Sequence, residues 1–292
     1  MKVLSLFDGI SCGRVGLERA GIPVERYFAY EIEPNAIKIS KKNYPDIVHR
    51  GDVTTADFTE YKGYDLLIGG SPCQSLSIVQ SKTRKHLDGK SKLFFEFVRA
   101  MQEVQPRYFL FENVASMNEE SKAVMSECLG CNPILIDSNC FSAQDRPRLY
   151  WTNIPVKVDG LKECKVCLGD ILEKEVDAKY WYRWPLVDVD LSKQVCATMV
   201  HNNHEMHKRV FNPAFKCHTL TAVCGGNQQK KVYIDGRARK LTPIEYERLQ
   251  TLPDNYTAGV CDGARYHSIG NGWTVDVIAF ILSFIPKAEV IL

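Results

Sequence analysis

The chain has 292 residues, 45% apolar and 25% charged, a globular composition with length for one large domain or one large and one small. Its formal net charge of +2 excludes a uniformly basic nucleic-acid binder, so any basic surface must be local. No membrane span is expected, because the longest apolar stretch, Val277 to Ile285, is about half the length a bilayer requires.

The opening run MKVLSLFDG reaches Asp8 too early for a signal peptide, and eleven scattered cysteines, an odd number, fit reduced thiols in a cytoplasmic compartment. In chain order, KVLSLF (2–7) predicts a strand, followed by a glycine-containing turn from Asp8 to Gly13 and a helix to Ala20. VERYFAYE (24–31) predicts a second strand, and Pro34 opens a helix running to about Asn43. DIVHRGDV gives a short third strand and YDLLIGG (64–70) a fourth. Residues 91–104 are helical, 107–114 a strand and 116–129 another helix, with PILIDSN and RLYWTNI as closing strands. This alternation implies a mostly parallel sheet with helices on both faces, an α/β Rossmann-like arrangement.

After about residue 170 the helical periodicity fades into short β-like runs separated by polar segments such as HNNHEMHK and CGGNQQKK. A smaller, loop-rich, β-containing second domain is expected there. Thr242 is a plausible cap for a helix over 242–252, and 274–285 reads as a last buried helix.

Ligands of open α/β sheets bind outside the C-terminal strand ends, so the polar residues just past each strand carry most information. These are Phe7-Asp8-Gly9 after the first strand, Glu31 after the second and Asp52 after the third. An acid in the position of Glu31 suits ribose hydroxyls. The first turn, FDGISCGRVG, lacks both G-x-G-x-x-G and the G-K-[ST] of a phosphate-binding loop. A nucleoside cofactor without phosphates fits better, and S-adenosylmethionine is the commonest; the alternative for these residues alone is a tight turn with two surface acids.

Cys73, in GGSPCQSLS, follows the fourth strand onto the same rim. A lone cysteine is more often a small buried hydrophobe than a nucleophile. Two neighbours favour chemistry: Glu112 ends the strand FLFENV, where partial burial would raise its pKa, and Arg146 and Arg148 precede another strand.

The ordered series FDGISCG, GGSPCQSLS, FENV, QDRPR, RKLTPIEYERLQTLPD and IGNGW resembles the motif set of the C5-cytosine DNA methyltransferases over residues 1–155 and about 217–285. IGNGWTV and SKLFFEF are also similar to the vertebrate de novo branch, within an otherwise bacterial or phage type. The resemblance implies that residues 1–175, completed by 268–292, form the catalytic and cofactor-binding domain, and 176–267 the small target-recognition domain and hinge.

It also implies a mechanism. The Cys73 thiolate would attack cytosine C6 and activate C5 towards the sulfonium methyl. Glu112, kept protonated, would donate to N3; Arg148 would hold O2, and Arg146 would orient the acid or the ring. Because C6 is inaccessible in a stacked duplex, the base must be flipped out. By the same resemblance Phe7, Gly9 and Ile10 would pack on S-adenosylmethionine, Cys12 would offer its backbone, Glu31 would bind the ribose and Ile32 would lie on the adenine. Asp52 and Val53 would meet the adenine edge, with Gly70, Pro72, Asn271 and Trp273 completing the cleft. Asp8 and Trp273 depart from the commoner bacterial pattern, in which small residues stand at both places.

Residues 80–92 carry five Lys/Arg against one Asp, so Lys82, Arg84, Lys85 and Ser77 are candidates for phosphate contact, with a solvated charged loop as the plain alternative. Residues 201–240 carry eight Lys/Arg against two acids. Within them Thr219 resembles the family's phosphate-positioning threonine, and VHNNHEMHKR and CGGNQQKK would supply base-reading side chains. The pairs Cys128/Cys131 and Cys164/Cys167 resemble zinc units, but two predicted strands separate them, and the spacing of His201, His204 and His207 does not converge on one helical face; no metal is expected. Partners are therefore double-stranded DNA and, for a restriction–modification enzyme, a cognate endonuclease. Oligomeric state stays open. A tRNA methyltransferase of the same fold is the alternative, disfavoured because Cys140-Phe141 is followed by Ser142 and not threonine; a non-catalytic relative is disfavoured by the intact thiol and cofactor turn.

Overall fold

The computed structural model describes residues 1–72, 93–201 and 204–286. The chain divides into two compact units, Met1–Ile136 with Pro147–Asp159 and Val277–Leu292, and Asp137–Arg146 with Gly160–Asp276.

The first unit is built on strands β1 (Lys2–Leu6), β2 (Arg26–Tyr30), β3 (Val48–His49), β4 (Leu66–Gly69), β5 (Tyr108–Val114), β6 (Ile134–Asp137) and, after a short β7 (Gln144–Asp145) of the second unit, β8 (Pro147–Thr152). They form one seven-stranded sheet in the order β3-β2-β1-β4-β5-β8-β6. The pairs β1–β2, β1–β4, β2–β3 and β4–β5 are parallel, and β5–β8 is antiparallel. Leu66, Leu67, Ile68 and Gly69 are buried along the whole of β4, as strands covered on both faces require. The intervening helices are α1 (Cys12–Arg19), α2 (Pro34–Asn43), α3 (Phe94–Val104) and α4 (Glu119–Leu129). Pro34 opens α2 behind a Glu33 cap, and Asn118 caps α4 through the Ser121 N–H, so α4 starts at 119 and not at 116. The core beside the sheet is aromatic: Phe97 and Phe111 ring centres lie 4.8 Å apart, and Phe111 and Trp151 5.9 Å.

In the second unit β9 (Leu186–Val187), β10 (Val195–Met199), β11 (Arg209–Phe211), β13 (Lys231–Ile234) and β14 (Arg237–Lys240) make a five-stranded sheet in the order β14-β13-β11-β10-β9. β12 (Cys217–His218) pairs with β7. Its helices are the single turn α5 (Glu205–Lys208), α6 (Pro243–Leu249) and α7 (Asp262–Asn271). Thr242 and Glu245 close a capping box at the start of α6. The last helix, α8 (Val275–Leu282), brings Ile278 against Gly16 of α1, where an added Cβ would stand 2.7 Å from Cγ2.

Polar groups share the interior of the second unit. Lys216 Nζ donates to the carbonyls of Ser142, Cys164 and Val166 at 3.0, 2.9 and 2.8 Å. Lys231 Nζ donates to His207, Asn227 and Gln229 at 2.7, 2.7 and 2.9 Å. Arg239 meets Glu245 in a two-pronged pair at 2.8 and 2.6 Å. Such groups are tolerated inside because each finds its partners.

Candidate active site

The turn after β1 is held in unusual backbone geometry. Phe7, Gly9 and Ser11 have φ of 57°, 58° and 63°, the left-handed region, which is costly for the two non-glycine residues. Hydrogen bonds hold it there. Asp8 N–H donates to Tyr30 O at 3.1 Å, Ser11 N–H to Asp8 O at 3.0 Å, and Gly9 N–H to Glu31 Oε2 at 2.8 Å. Glu31 Oε1 accepts the N–H groups of Ile32 and Glu33, each at 2.8 Å. One carboxylate thus ties the ends of β1 and β2 together.

Beneath the turn lies an anchor that the sequence did not disclose. The Asp8 carboxylate accepts from Ser5 Oγ at 2.6 Å, Tyr27 Oη at 2.7 Å and Ser11 Oγ at 2.5 Å. Burial pushes the Asp8 pKa above the usual carboxylate value, against the three hydroxyls. Ser11 Oγ also lies 2.6 Å from Ser40 Oγ, which lies 3.0 Å from His49 Nε2. The only signal in the sequence was that Asp8 stands where a small residue is common.

Around this turn the predicted cofactor residues of the first unit fall into two kinds. Ile10 and Cys12 are buried at 1% and 3% exposure, so their side chains are core and their contribution to a ligand is restricted to backbone. Ile32 is the reverse, 69% exposed and the most exposed large apolar residue described. Asp52 caps the turn that follows, accepting from Thr54 N and Oγ1 at 2.9 Å each, and Val53 beside it is buried.

At the end of β4, Gly69 is required by close packing: a Cβ there would stand 2.9 Å from Leu6 O and 3.0 Å from the Phe97 ring. Gly70 and Pro72 follow, half-buried. Asn113 Nδ2 donates to Ser71 O at 3.4 Å, fastening this loop to β5. Cys73, Ser77, Lys82, Arg84 and Lys85 lie outside the described residues. On β5, Glu112 Oε1 meets Arg148 Nε at 2.9 Å, both side chains 12% exposed. The register explains the pair: Arg148 is opposite Val114, so its side chain shares a face with Glu112 two residues earlier.

Arg146 behaves differently from Arg148. It is 4% exposed, in the second unit, and donates to the carbonyls of Leu220, Gly270 and Gly272 at 2.8, 3.1 and 2.9 Å. Arg146 thus binds backbone of its own unit, whereas Arg148 meets a carboxylate. Gln144 acts beside it, accepting from Leu220 N at 2.7 Å and donating to Leu249 O at 3.0 Å. Thr219 Oγ1 donates to Asp145 O at 2.7 Å. Asn271 ends α7, exposed, and Trp273 follows it, half-buried. Among the described residues no group of three or more His, Cys, Asp or Glu is arranged to hold a metal ion, and no helix is long and apolar enough to cross a membrane.

The family model of C-5 cytosine-specific DNA methylases matches residues 1–130 and 164–287. The chain is 29% identical over 300 residues to the type II methyltransferase M1.ScrFI of Lactococcus lactis subsp. cremoris, covering 95% of this chain and 76% of that protein. It is 28% identical over 306 residues to the type II methyltransferase M.SsoII of Shigella sonnei, covering 95% and 78%. Among solved structures, the Dnmt2 methyltransferase of S. pombe superposes with a TM-score of 0.71 over 99% of each chain at 19% identity, a likeness of fold.

Proposed function

This chain belongs to the C-5 cytosine-specific DNA methylase family, and on that premise we propose how its own residues carry methyl transfer to cytosine in DNA. S-adenosylmethionine is the methyl donor that the first unit fits. Ile32 offers exposed apolar surface for an adenine, Glu31 a carboxylate for a ribose, and Asp52 an acid beside them. Phe7, Gly9, Ile10, Cys12, Val53, Gly70, Pro72, Asn271 and Trp273 are assigned to the same cofactor. When bound, it supplies an electrophilic methyl group.

The protein's part is to make C5 of cytosine nucleophilic. The Cys73 thiolate adds to C6, and the electron pair of the C5–C6 double bond is made available at C5. Glu112 meets N3, where negative charge develops, and Arg148 meets O2; their mutual contact at 2.9 Å holds the two side chains side by side, as N3 and O2 lie on one edge of the base. After transfer, loss of the C5 proton restores the double bond and expels the thiol. The base must leave the duplex to reach the thiol. Ser77, Lys82, Arg84, Lys85 and Thr219 are assigned to phosphates, residues 176–267 to target recognition, and 1–175 with 268–292 to catalysis. A cognate restriction endonuclease is the proposed biological counterpart, as for a type II methyltransferase of the cytoplasm.

The Glu112–Arg148 pair, on the strand whose Asn113 fastens the Ser71-Pro72 turn leading to Cys73, is the observation that carries this reading. Duplex DNA containing 5-fluorocytosine tests it, because fluorine cannot leave C5 as a proton does. With S-adenosylmethionine, a denaturation-resistant protein–DNA adduct at Cys73 is expected. An adduct that persists in Cys73→Ala would overturn the assignment.

A further inference from the structure

α7 carries glycines at 263 and 270, and the chain over 221–224 lies directly on them. A Cβ on Gly263 would stand 2.5 Å from Cys224 O, and one on Gly270 2.4 Å from Thr221 O. Neither position tolerates a side chain without moving backbone, so the two glycines fix how closely the segment follows the helix. His267 stands between them, four residues after the first, and Asn271 four residues further along.

This packing brings three side chains into line. Cys224 Sγ lies 3.4 Å from His267 Nδ1, and His267 Nε2 lies 3.2 Å from Asn271 Nδ2. Thiol, imidazole and carboxamide thus follow one another as nucleophile, ring and orienting group. With Asn271 donating to Nε2, Nδ1 carries the hydrogen and presents it to the sulfur. Cys224 is exposed. Neither Cys224 nor His267 has a part in the methyl transfer proposed above, although Asn271 is assigned to the cofactor, and Cys224 lies in a segment assigned only to target recognition.

We infer that Cys224 is a reactive thiol, activated by His267 and oriented through Asn271, that exchanges with low-molecular-weight disulfides such as glutathione disulfide. The step balances. The Cys224 proton passes to solvent, Sγ attacks one sulfur of the disulfide, the S–S bond breaks, and the departing thiolate takes a proton from solvent. Cys224 is oxidised to the mixed disulfide as one glutathione is reduced. Cys128, which is also exposed, offers the contrast: partial burial and the neighbouring Glu127 push its thiol upward.

The full-length protein, treated with limiting glutathione disulfide and separately with limiting iodoacetamide, is digested and each cysteine peptide followed by mass spectrometry over time. Cys224 is expected to react about tenfold faster than Cys128 or Cys261, and His267→Phe to remove that advantage at Cys224 alone. Equal rates at the three thiols, or an unchanged Cys224 rate in a His267→Phe protein with the parent's circular dichroism, would overturn the inference. Should His267→Phe not fold, His267→Gln serves, since glutamine keeps a polar side chain without the ring nitrogens; an unaltered rate there has the same meaning.

Discussion

Arg148 Nε stands 2.9 Å from Glu112 Oε1 across the antiparallel pair β5–β8, which adjoins the parallel pairs from β3 to β5. The reversal makes the contact: residues two apart on facing strands share a side of the sheet. Glu112→Gln, which keeps size and loses the acid, is expected to lower kcat for methyl transfer by about 10²–10⁴-fold. Arg148→Ala should do likewise. Single-turnover assays with labelled S-adenosylmethionine check both, alongside thermal unfolding to show that the sheet survives.

Glu31 holds three backbone N–H groups at the ends of β1 and β2. Hydrogen bonds to a carboxylate are worth about 1.5–3 kcal/mol each. Glu31→Gln should weaken binding of S-adenosylhomocysteine by about 10–100-fold, read by calorimetric titration.

Gly69 is enclosed by Leu6 O and the Phe97 ring. Gly69→Ala should cost about 1–3 kcal/mol of stability through overpacking. Urea unfolding measures it, and an unchanged midpoint would contradict the close packing.

Arg146 is expected to matter for folding more than for chemistry. Arg146→Met removes the guanidinium donor from the Leu220 and Gly270 carbonyls, each costing about 1–3 kcal/mol when buried without a donor, while Gly272 O keeps Gln250 Nε2 at 3.0 Å. The protein should lose about 3 kcal/mol of stability, while methyl transfer per folded molecule falls far less than in Arg148→Ala.

His49, bonded to Ser40, is held below its ordinary value of 6.5 by burial and by Lys41, with Glu31 acting in the opposite direction. The unfolded chain therefore takes up this proton first as pH falls, so the contribution is present above pH 6.5 and lost below it. Urea midpoints at acid and neutral pH should lie closer together in His49→Gln than in the parent. Equal pH dependence in the two proteins would contradict this.

The parallel half of the fold was legible because continuous apolar runs, each ended by glycine or an acid, alternate with helical spacing. Strand direction was not, because an apolar run such as RLYWTNI carries no sign for parallel or antiparallel pairing, and the Glu112–Arg148 contact depends on that sign. Arg146 and Arg148 look alike two residues apart, yet Arg148 enters β8 while Arg146 packs with the other unit. The Asp8 anchor was invisible for a different reason. Its donors Ser5, Ser11 and Tyr27 come from three separate elements, and only their convergence gives the acid its partners.

The interior lysines of the second unit alter how this enzyme's hold on DNA should respond to salt. Of the eight lysines and arginines over 201–240, Lys216, Lys231 and Arg239 are at most 6% exposed, leaving Lys208, Arg209, Lys230, Arg237 and Lys240. A cation already surrounded by carbonyls or a carboxylate displaces no counterion from a duplex. Each phosphate neutralised contributes about −0.9 to the slope of log affinity against log salt. The ionic-strength dependence that this segment can contribute to DNA binding is therefore bounded by five charges, not eight.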